Sequence, residues 1–169
     1  MQHLLFQILR GHFVMDLYKI DGLIAQIRAF EPLYISTDGP VSEDRIAFVE
    51  VSLKQLFCPD YYQFVNYYGL LEIHDTAIIG IDNECFDKNF KRINDVRYMT
   101  EEVLEITDYS PPAGRSILLN DTCEWLLLMD HNDGKVYGYD VFAKKYTEMY
   151  PCLEAMIVDN LERALDRLL

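Results

Sequence analysis

The side chains best suited to covalent or acid-base chemistry are the four cysteines and four histidines of this 169-residue chain. Cys58 directly precedes a predicted helix, where a thiol can have a lowered pKa. The histidines that could act as bases are His3, His12, His74 and His131. None of them lies at a local spacing that pairs it with a nucleophile. The G-x-S-x-G, H-E-x-x-H, P-loop and G-x-G-x-x-G motifs do not occur either, so the sequence predicts a protein that is not an enzyme.

The carboxylates leave one enzymatic alternative open. Two of the 28 acidic residues could form the acid and base of a hydrolase such as a glycosidase. Any acidic protein offers such pairs, and the simpler interpretation of these acids is a solvated face. A hydrolase therefore stays an alternative, and the prediction remains a protein without catalytic residues.

Neither a metal site nor a cofactor site is predicted. The cysteines Cys58, Cys85, Cys123 and Cys152 are 27, 38 and 29 residues apart, without a C-x-x-C motif or clustered histidines. Zinc sites and redox pairs need closer spacing, so these residues are interpreted as reduced, mostly buried thiols.

The stretch DHNDGKVYGYD, residues 130–140, has the aspartates and glycine of a calcium loop at the wrong spacing. An EF-hand loop needs its glycine at position 6, whereas Gly134 is the fifth residue counted from Asp130. Asn132, Asp133 and Gly134 tolerate positive φ and lie between two β-prone runs. The stretch therefore predicts a hairpin turn.

The formal net charge is −13 at pH 7. A phosphate backbone repels carboxylates, so this charge argues against nucleic-acid binding and favours a basic protein partner. The alternative is that the acidity only keeps the protein soluble. The negative charge is concentrated in two windows, residues 55–87 with a net −6 and residues 98–134 with a net −7. If the fold brings these windows together, one surface is strongly anionic.

Targeting signals are not recognised in the sequence. Arg10 and His12 interrupt the apolar start MQHLLFQILRGHFVMD, and no small-residue cleavage site follows. No run reaches the eighteen or more apolar residues that a membrane helix needs. We therefore expect a cytoplasmic protein without membrane contact, in which Met15 is an alternative start and residues 1–14 an optional extension.

Apolar residues at helical spacing predict two helices before residue 58. The first is interpreted with Asp21 as its N-cap, and Pro32 ends it. Its stripe consists of Ile20, Leu23, Ile24, Ile27 and Phe30. The second follows Ser42, a good N-cap succeeded by two acids, and continues to Phe57.

A third helix is predicted in CPDYYQFVNYYG, residues 58–69. Pro59 suits a first helical turn, and Gly69 suits the position that closes a helix. Four residues share one face: Tyr61, Phe64, Val65 and Tyr68. Stripes of this kind are far more often core than ligand platforms, so these side chains are expected to be buried. Tyr62 points elsewhere and Tyr67 lies at the margin of the face.

After Gly69 the pattern changes to short β-prone runs. Residues 70–73 and 77–81 predict a hairpin. Strands are also predicted at 116–119, 125–130, 135–140 and near 146–150. A polar segment with helical spacing lies between these strands and ends before SPPAG, and its apolar residues are Phe90, Ile93, Val96, Met99, Val103 and Ile106. A final helix carries Leu153, Ile157, Leu161, Leu165 and Leu168. The order predicts one α+β domain, residues 1–169, with N-terminal helices, an antiparallel β-sheet meander and a C-terminal helix.

Three segments, in this order, resemble the SUKH superfamily, which contains the bacterial Syd proteins, yeast regulators of cell-wall synthesis and many bacterial immunity proteins. The first is the helix 42–57 leading into CPDYYQF and then YG at 68–69. The second is AIIG at 77–80, similar to a family strand that ends in glycine. The third is the pair 125–130 and DGKV, with the helix 161–169. The resemblance covers about residues 42–169, so residues 1–41 are interpreted as a helical extension.

Two positions depart from the family pattern. Cys58 stands where the family usually has leucine, and Tyr67-Tyr68-Gly69-Leu70 has neither the asparagine nor the second glycine.

The resemblance implies a non-enzymatic domain that binds other proteins, most often a toxin encoded beside it. Many such toxins are nucleases with basic clefts, which an anionic surface could occupy. We therefore expect an immunity protein that neutralises a cognate toxin, or alternatively a SUKH-type module with a non-toxin cellular partner. The expected binding residues are acids and exposed aromatics: Tyr62, Tyr67, Glu72, Asp75, Asp82, Glu84, Asp87, Asp121, Glu124 and Asp133.

Overall fold

The computed structural model describes residues 15–74, 76–81, 96–107, 109–120 and 124–169. The helices are α1 (Leu17–Phe30), α2 (Glu43–Leu53), α3 (Pro59–Tyr68), α4 (Val96–Thr107) and α5 (Leu153–Leu168). The strands are β1 (Ile35–Thr37), β2 (Leu71–Ile73), β3 (Thr76–Ile78), β4 (Arg115–Asn120), β5 (Trp125–Asp130), β6 (Val136–Asp140) and β7 (Lys145–Tyr150). The predicted α+β class, with antiparallel strands and a C-terminal helix, is confirmed.

Helix α1 begins earlier than predicted. Its N-cap is Asp16, whose Oδ1 accepts the backbone N–H of Lys19 at 3.1 Å. The assignment of Asp21 as the cap was therefore wrong. The buried stripe consists of Ile20, Ile24 and Ile27, while Phe30 is 56% exposed because the helix ends there.

Helix α2 has the predicted cap, since the Ser42 hydroxyl accepts the backbone N–H of Arg45. It ends at Leu53 instead of Phe57, because Lys54 takes a left-handed conformation (φ 53°) that breaks the helical run. The chain then turns so that Phe57 enters the core.

Helix α3 agrees with its prediction, with Pro59 in its first turn and Gly69 at its C-cap. All four residues of the predicted stripe are buried, and the rings of its three aromatic members form a continuous series with Phe57. The Tyr61 hydroxyl donates to the carbonyl of Ile79 at 3.1 Å, which ties α3 to the segment after β3.

The strands form two sheets, whereas a single meander was predicted. The first has the order β1-β2-β3 and the second the order β4-β5-β6-β7. The hairpin β2–β3 and the succession β4 to β7 were predicted, but β1 was not. Three residues are too short for an alternating pattern to identify a strand.

The two sheets are joined next to Gly80. The backbone N–H of Ile79 donates to the Leu118 carbonyl of β4 at 2.7 Å, and that of Ile81 donates to the Gly69 carbonyl at 3.0 Å. A Cβ at Gly80 would lie 1.7 Å from the Gly69 carbonyl oxygen, so only glycine permits this approach. This close approach of the two backbones explains why the predicted strand AIIG ends in glycine.

Helix α5 packs along α1, and the backbone N–H of Asp16 donates to Glu154 Oε2 at 2.8 Å. Its buried residues include Leu153, Ile157 and Leu161, which were predicted. The predicted positions Phe90 and Ile93 lie outside the described residues, whereas Val96, Met99 and Val103 of α4 are buried.

Candidate partner-binding surface

Asp21 is a half-buried residue of α1 whose two carboxylate oxygens accept hydrogen bonds from consecutive tyrosines of α3. The Tyr67 hydroxyl donates to Oδ2 at 3.0 Å, and the Tyr68 hydroxyl donates to Oδ1 at 2.9 Å. The two tyrosine rings meet edge to face, with centroids 4.8 Å apart. The carboxylate is therefore held in one orientation by two donors that are themselves packed.

Tyr18, Asp21 and Tyr67 form what we call the Asp21 surface. Tyr18 lies one helical turn before Asp21, at a spacing that places both on one side of α1. The Tyr18 side chain is 92% exposed and that of Tyr67 is 46% exposed. A fixed carboxylate is thus flanked by two aromatic side chains that solvent, or another protein, can reach.

The charge of Asp21 is not neutralised by its bonding partners. Both donors are neutral hydroxyls, and no Lys, Arg or His among the described residues forms an ion pair with Asp21. The bond to Asp21 raises the pKa of Tyr67, and burial followed by the bond to Asp21 raises that of Tyr68. Both hydroxyls therefore stay protonated and uncharged at neutral pH, so they orient the Asp21 carboxylate without forming an ion pair with it.

The two predicted aromatic anchors do not share a side of α3. Tyr67 is five positions after Tyr62, which corresponds to about 140° around a helix of 3.6 residues per turn. Tyr62 is half-buried and packs against the core. Burial, and after it the carboxylates of Glu43 and Glu50 in α2, raise the pKa of Tyr62, whereas the Tyr67 hydroxyl bonds to Asp21 of α1.

Three of the predicted acids are described, and they lie on different elements or at different ends of one strand. Glu72 is the central residue of β2, half-buried, and accepts the Ser36 hydroxyl of β1 at 2.9 Å. Glu124 is exposed immediately before β5, and Asp133 is exposed in the turn after it. Six residues of strand span roughly 17–20 Å, so Glu124 and Asp133 flank opposite ends of β5. The acids of the second charge window thus do not lie in a single patch.

The predicted turn at Asp133 is confirmed. Its Oδ1 accepts the Lys135 backbone N–H at 2.9 Å, and its Oδ2 accepts the Tyr137 hydroxyl at 2.8 Å. Gly134 alone of the three predicted turn residues has a positive φ, 75°. Asp133 is therefore a second exposed carboxylate held by neutral donors.

The other predicted binding acids are Asp75, Asp82, Glu84, Asp87 and Asp121, and they lie outside the described residues. The same holds for Cys85 and Cys123. Cys58 is buried and Cys152 half-buried, and both are free thiols.

Three other described carboxylates are paired with cations. Arg115 Nε lies 2.7 Å from Asp130 Oδ2, Lys135 Nζ lies 2.8 Å from Glu148, and Arg163 lies 2.9 Å from Asp159. Ion pairing of this kind cancels the charge that a partner would meet. These three acids therefore differ from Asp21 and Asp133, whose hydrogen-bond donors are neutral.

A buried polar cluster brings together Cys58, Ser116 and His131, which the sequence did not pair. His131 Nδ1 accepts the backbone N–H of Cys58 at 3.1 Å, and Nε2 lies 2.8 Å from the Ser116 hydroxyl. Because Nδ1 accepts, the neutral ring carries its proton on Nε2 and donates it to Ser116. A base that activates Ser116 would need a free lone pair on that same nitrogen.

The surroundings of the cluster give it a structural role. The rings of Phe57 and Tyr61 enclose the imidazole at 5.1 and 5.3 Å. Burial lowers the pKa of His131 to about 4, against a weaker opposing effect of Asp130, and burial raises the pKa of the Cys58 thiol to about 12. The imidazole thus links α3 to β4 in its neutral form.

Asp21 is the residue of this surface that the sequence did not single out as a binding candidate. Its partners are 46 and 47 residues away, so no local spacing connects them. Acidic residues inside an amphipathic helix are common, and this one was taken for a cap. Only the packing of α1 against α3 reveals the contact.

The chain matches no protein-family model, and no curated protein matches its sequence. Among the described residues, no helix combines the length and the apolar character needed to cross a bilayer. In the same part of the chain, no three ligating side chains are grouped so that they could hold a metal ion.

Proposed function

We propose that this chain is a cytoplasmic, non-enzymatic immunity protein that binds a cognate toxin and neutralises it, with the Asp21 surface as part of the contact. The observation that carries the proposal is the carboxylate of Asp21, which is fixed by two neutral tyrosine hydroxyls, has no ion-pair partner among the described residues and lies beside two exposed aromatic side chains. The partner's matching feature is a basic side chain.

The neutral donors are central to this proposal. Two hydroxyls orient the carboxylate before any partner arrives, so less side-chain freedom is lost on binding. Because they carry no charge, they leave the electrostatic attraction for an incoming Lys or Arg intact. A carboxylate paired with an internal cation would lack that attraction.

The exposed rings of Tyr18 and Tyr67 supply the second part of the contact. Tyrosine is enriched among residues that dominate binding energy, because it offers a large area and few rotatable bonds. A guanidinium that bonds to Asp21 could also lie over one of these rings, where the cation–π attraction adds to the charge-assisted hydrogen bond.

The toxin as partner comes from the SUKH resemblance and from the net charge of −13. Nuclease toxins have basic clefts, and an anionic surface that covers such a cleft blocks the substrate and speeds association at low salt. A non-toxin cellular partner would use the same surface chemistry, and the same experiment separates the two.

The test is co-expression with the product of the adjacent gene, followed by purification of the complex at low and high salt. We expect protection of the host cell and a stoichiometric complex that weakens as salt rises. Asp21→Asn keeps the shape and removes the charge, and should weaken the complex about tenfold or more, or roughly 1.4 kcal/mol.

Asp166→Asn is the matched control, because Asp166 is an exposed carboxylate of α5 that forms no ion pair within the described residues. It changes the net charge equally and should leave affinity nearly unchanged. Equal weakening by both variants would show that only total charge matters. Absence of protection and of any complex at low salt would rule out the toxin proposal, whereas a complex with a non-toxin protein would support the alternative partner.

A further inference from the structure

Within the part of the chain that the structure describes, strand β7 has a free edge. It is the last strand of the order β4-β5-β6-β7 and pairs only with β6 among the described residues. At the other end of this sheet, the Leu118 carbonyl of β4 accepts a hydrogen bond from Ile79, so that edge adjoins the first sheet. We propose that β7 pairs antiparallel with β7 of a second copy of this chain, which makes a continuous eight-stranded sheet across a two-fold axis.

The edge is long and only partly protected. Residues 145–149 are exposed, and the strand KYTEMY contains no proline. Natural edges are usually blocked by proline, by short length or by charged side chains. Here Glu148 is paired with Lys135 of the adjacent hairpin, and the bulge in the β6–β7 pairing lies at the Tyr150 end. Within β7 itself, Lys145 is thus the remaining charge, outside the ion pairs of the described residues.

The sequence of β7 is self-complementary when the two-fold axis passes through Thr147. In this register, residues that lie opposite each other point their side chains to the same face of the sheet. Thr147 faces its own copy, Tyr146 faces Glu148, and Lys145 faces Met149. Threonine pairs are favourable across strands, and no like charges are directly opposite in this register. The aliphatic stem of Lys145 can cover the thioether of Met149, which is 44% exposed.

The local charge also favours a second copy at this edge. Residues 135–150 carry three lysines and two acids, a net charge of +1 within a chain of net charge −13. The lysines are Lys135, Lys144 and Lys145. Two copies repel each other through their net charge, but residues 135–150 carry no excess of negative charge and so add nothing to this repulsion.

This arrangement predicts an unusual response to salt. Screening weakens the repulsion between two acidic chains, so the proposed dimer becomes tighter as salt rises. Binding of a basic partner by the Asp21 surface weakens under the same conditions. The dimer does not depend on the proposed function, and either can fail alone.

The test measures the mass of the full chain by sedimentation equilibrium from about 0.05 M to about 0.5 M NaCl. We expect a concentration-dependent shift from the monomer mass of 19.8 kDa toward twice that value, with more dimer at high salt. Thr147→Lys and Thr147→Glu each place like charges at the axis and should be monomeric. An equimolar mixture of the two should recover the dimer, because opposite charges then face each other.

Recovery in the mixture shows that both variants are folded, so loss of the dimer in each alone cannot be a folding defect. A wild-type chain that stays monomeric at high salt and high concentration overturns the proposal. A wild-type dimer that both variants retain, or that the mixture fails to recover, overturns the Thr147 register.

Discussion

Asp21 and Asp130 are each held by two donors, but the donors differ in charge. Asp21 accepts two tyrosine hydroxyls, whereas Asp130 accepts Arg115 Nε at 2.7 Å and the backbone N–H of Asn132 at 2.9 Å. Burial raises the pKa of Asp130, but the bonds from Arg115 and Asn132 outweigh it and the net pKa is lowered. One carboxylate keeps its charge available, and the other uses it to join β4 to β5.

The aromatic rings near Asp130 and near Asp21 also have different roles. The guanidinium of Arg115 lies 4.7 Å from the Tyr137 ring centroid and 4.6 Å from that of Tyr146, so its cation is enclosed by aromatic rings as well as by Asp130. Tyr146 in turn hydrogen-bonds with Tyr109 at 2.9 Å. Tyrosines in this region surround an internal cation. At the Asp21 surface, tyrosines instead orient a free anion.

The largest expected effect is on the Asp130 side of this comparison. Arg115→Met leaves Asp130 nearly buried without its cation, and should lower the free energy of unfolding by about 3 kcal/mol. Arg163→Met is the control, because its partner Asp159 is more exposed, and should cost less than about 1 kcal/mol. Chemical denaturation of both variants measures the difference. Similar losses in the two variants would contradict the structural role of the Arg115 pair.

The second prediction concerns pH and His131, which neighbours Asp130. The imidazole is 4% exposed, and its pKa falls from 6.5 to about 4 on folding. The unfolded chain therefore binds a proton more readily, so the stability that this group provides is complete above about pH 6.5 and is lost as the pH falls toward 4. The loss between pH 7 and 4.5 should be about 2 kcal/mol.

Equilibrium denaturation across that pH range checks the prediction, with His131→Gln as the comparison. Glutamine can bond but does not titrate, so the variant should be less stable at pH 7 and less sensitive to acid. If wild type and variant lose the same stability between pH 7 and 4.5, other groups are responsible for the acid response.

The smallest effect separates the two donors to Asp21. Tyr68 is 3% exposed, and Tyr68→Phe keeps the ring while it removes a buried hydroxyl, which should cost about 1–2 kcal/mol of unfolding free energy. Tyr67→Phe is the matched control, and its effect on stability should be smaller because water can replace its exposed hydroxyl. Thermal or urea unfolding of both variants compares them. A larger loss of unfolding free energy in Tyr67→Phe would contradict the finding that Tyr68 is the more deeply buried donor.

Much of the fold could be predicted because its signals are local. The α3 stripe, its proline and glycine ends, the Ser42 cap and the strands of the second sheet each follow from residues within one element. The single meander was wrong, since the strands form two sheets. The other wrong predictions lie at boundaries: the cap of α1 and the end of α2. At these positions several residues satisfy the local rule, and packing decides among them.

The candidate site was less predictable. Tyr67 was predicted to lie at the margin of the buried face of α3, and it is exposed there as part of the Asp21 surface. Tyr62 lies on another side of α3, and Glu124 and Asp133 lie at opposite ends of β5. Counting charges along the chain cannot tell which acids are neutralised, because the cation that pairs with each is selected by tertiary contact.

By itself, the sequence determined the class of fold, the buried aromatic face of α3, the hairpin turn at Gly134 and the large negative charge. These depend on side-chain type and on spacing within one segment. Only the tertiary structure decided that Asp21 faces two tyrosines, that Asp130 faces Arg115, and that His131 is enclosed between α3 and β4. Each of these contacts joins residues from different elements, and their distance in sequence carries no signal of their distance in space.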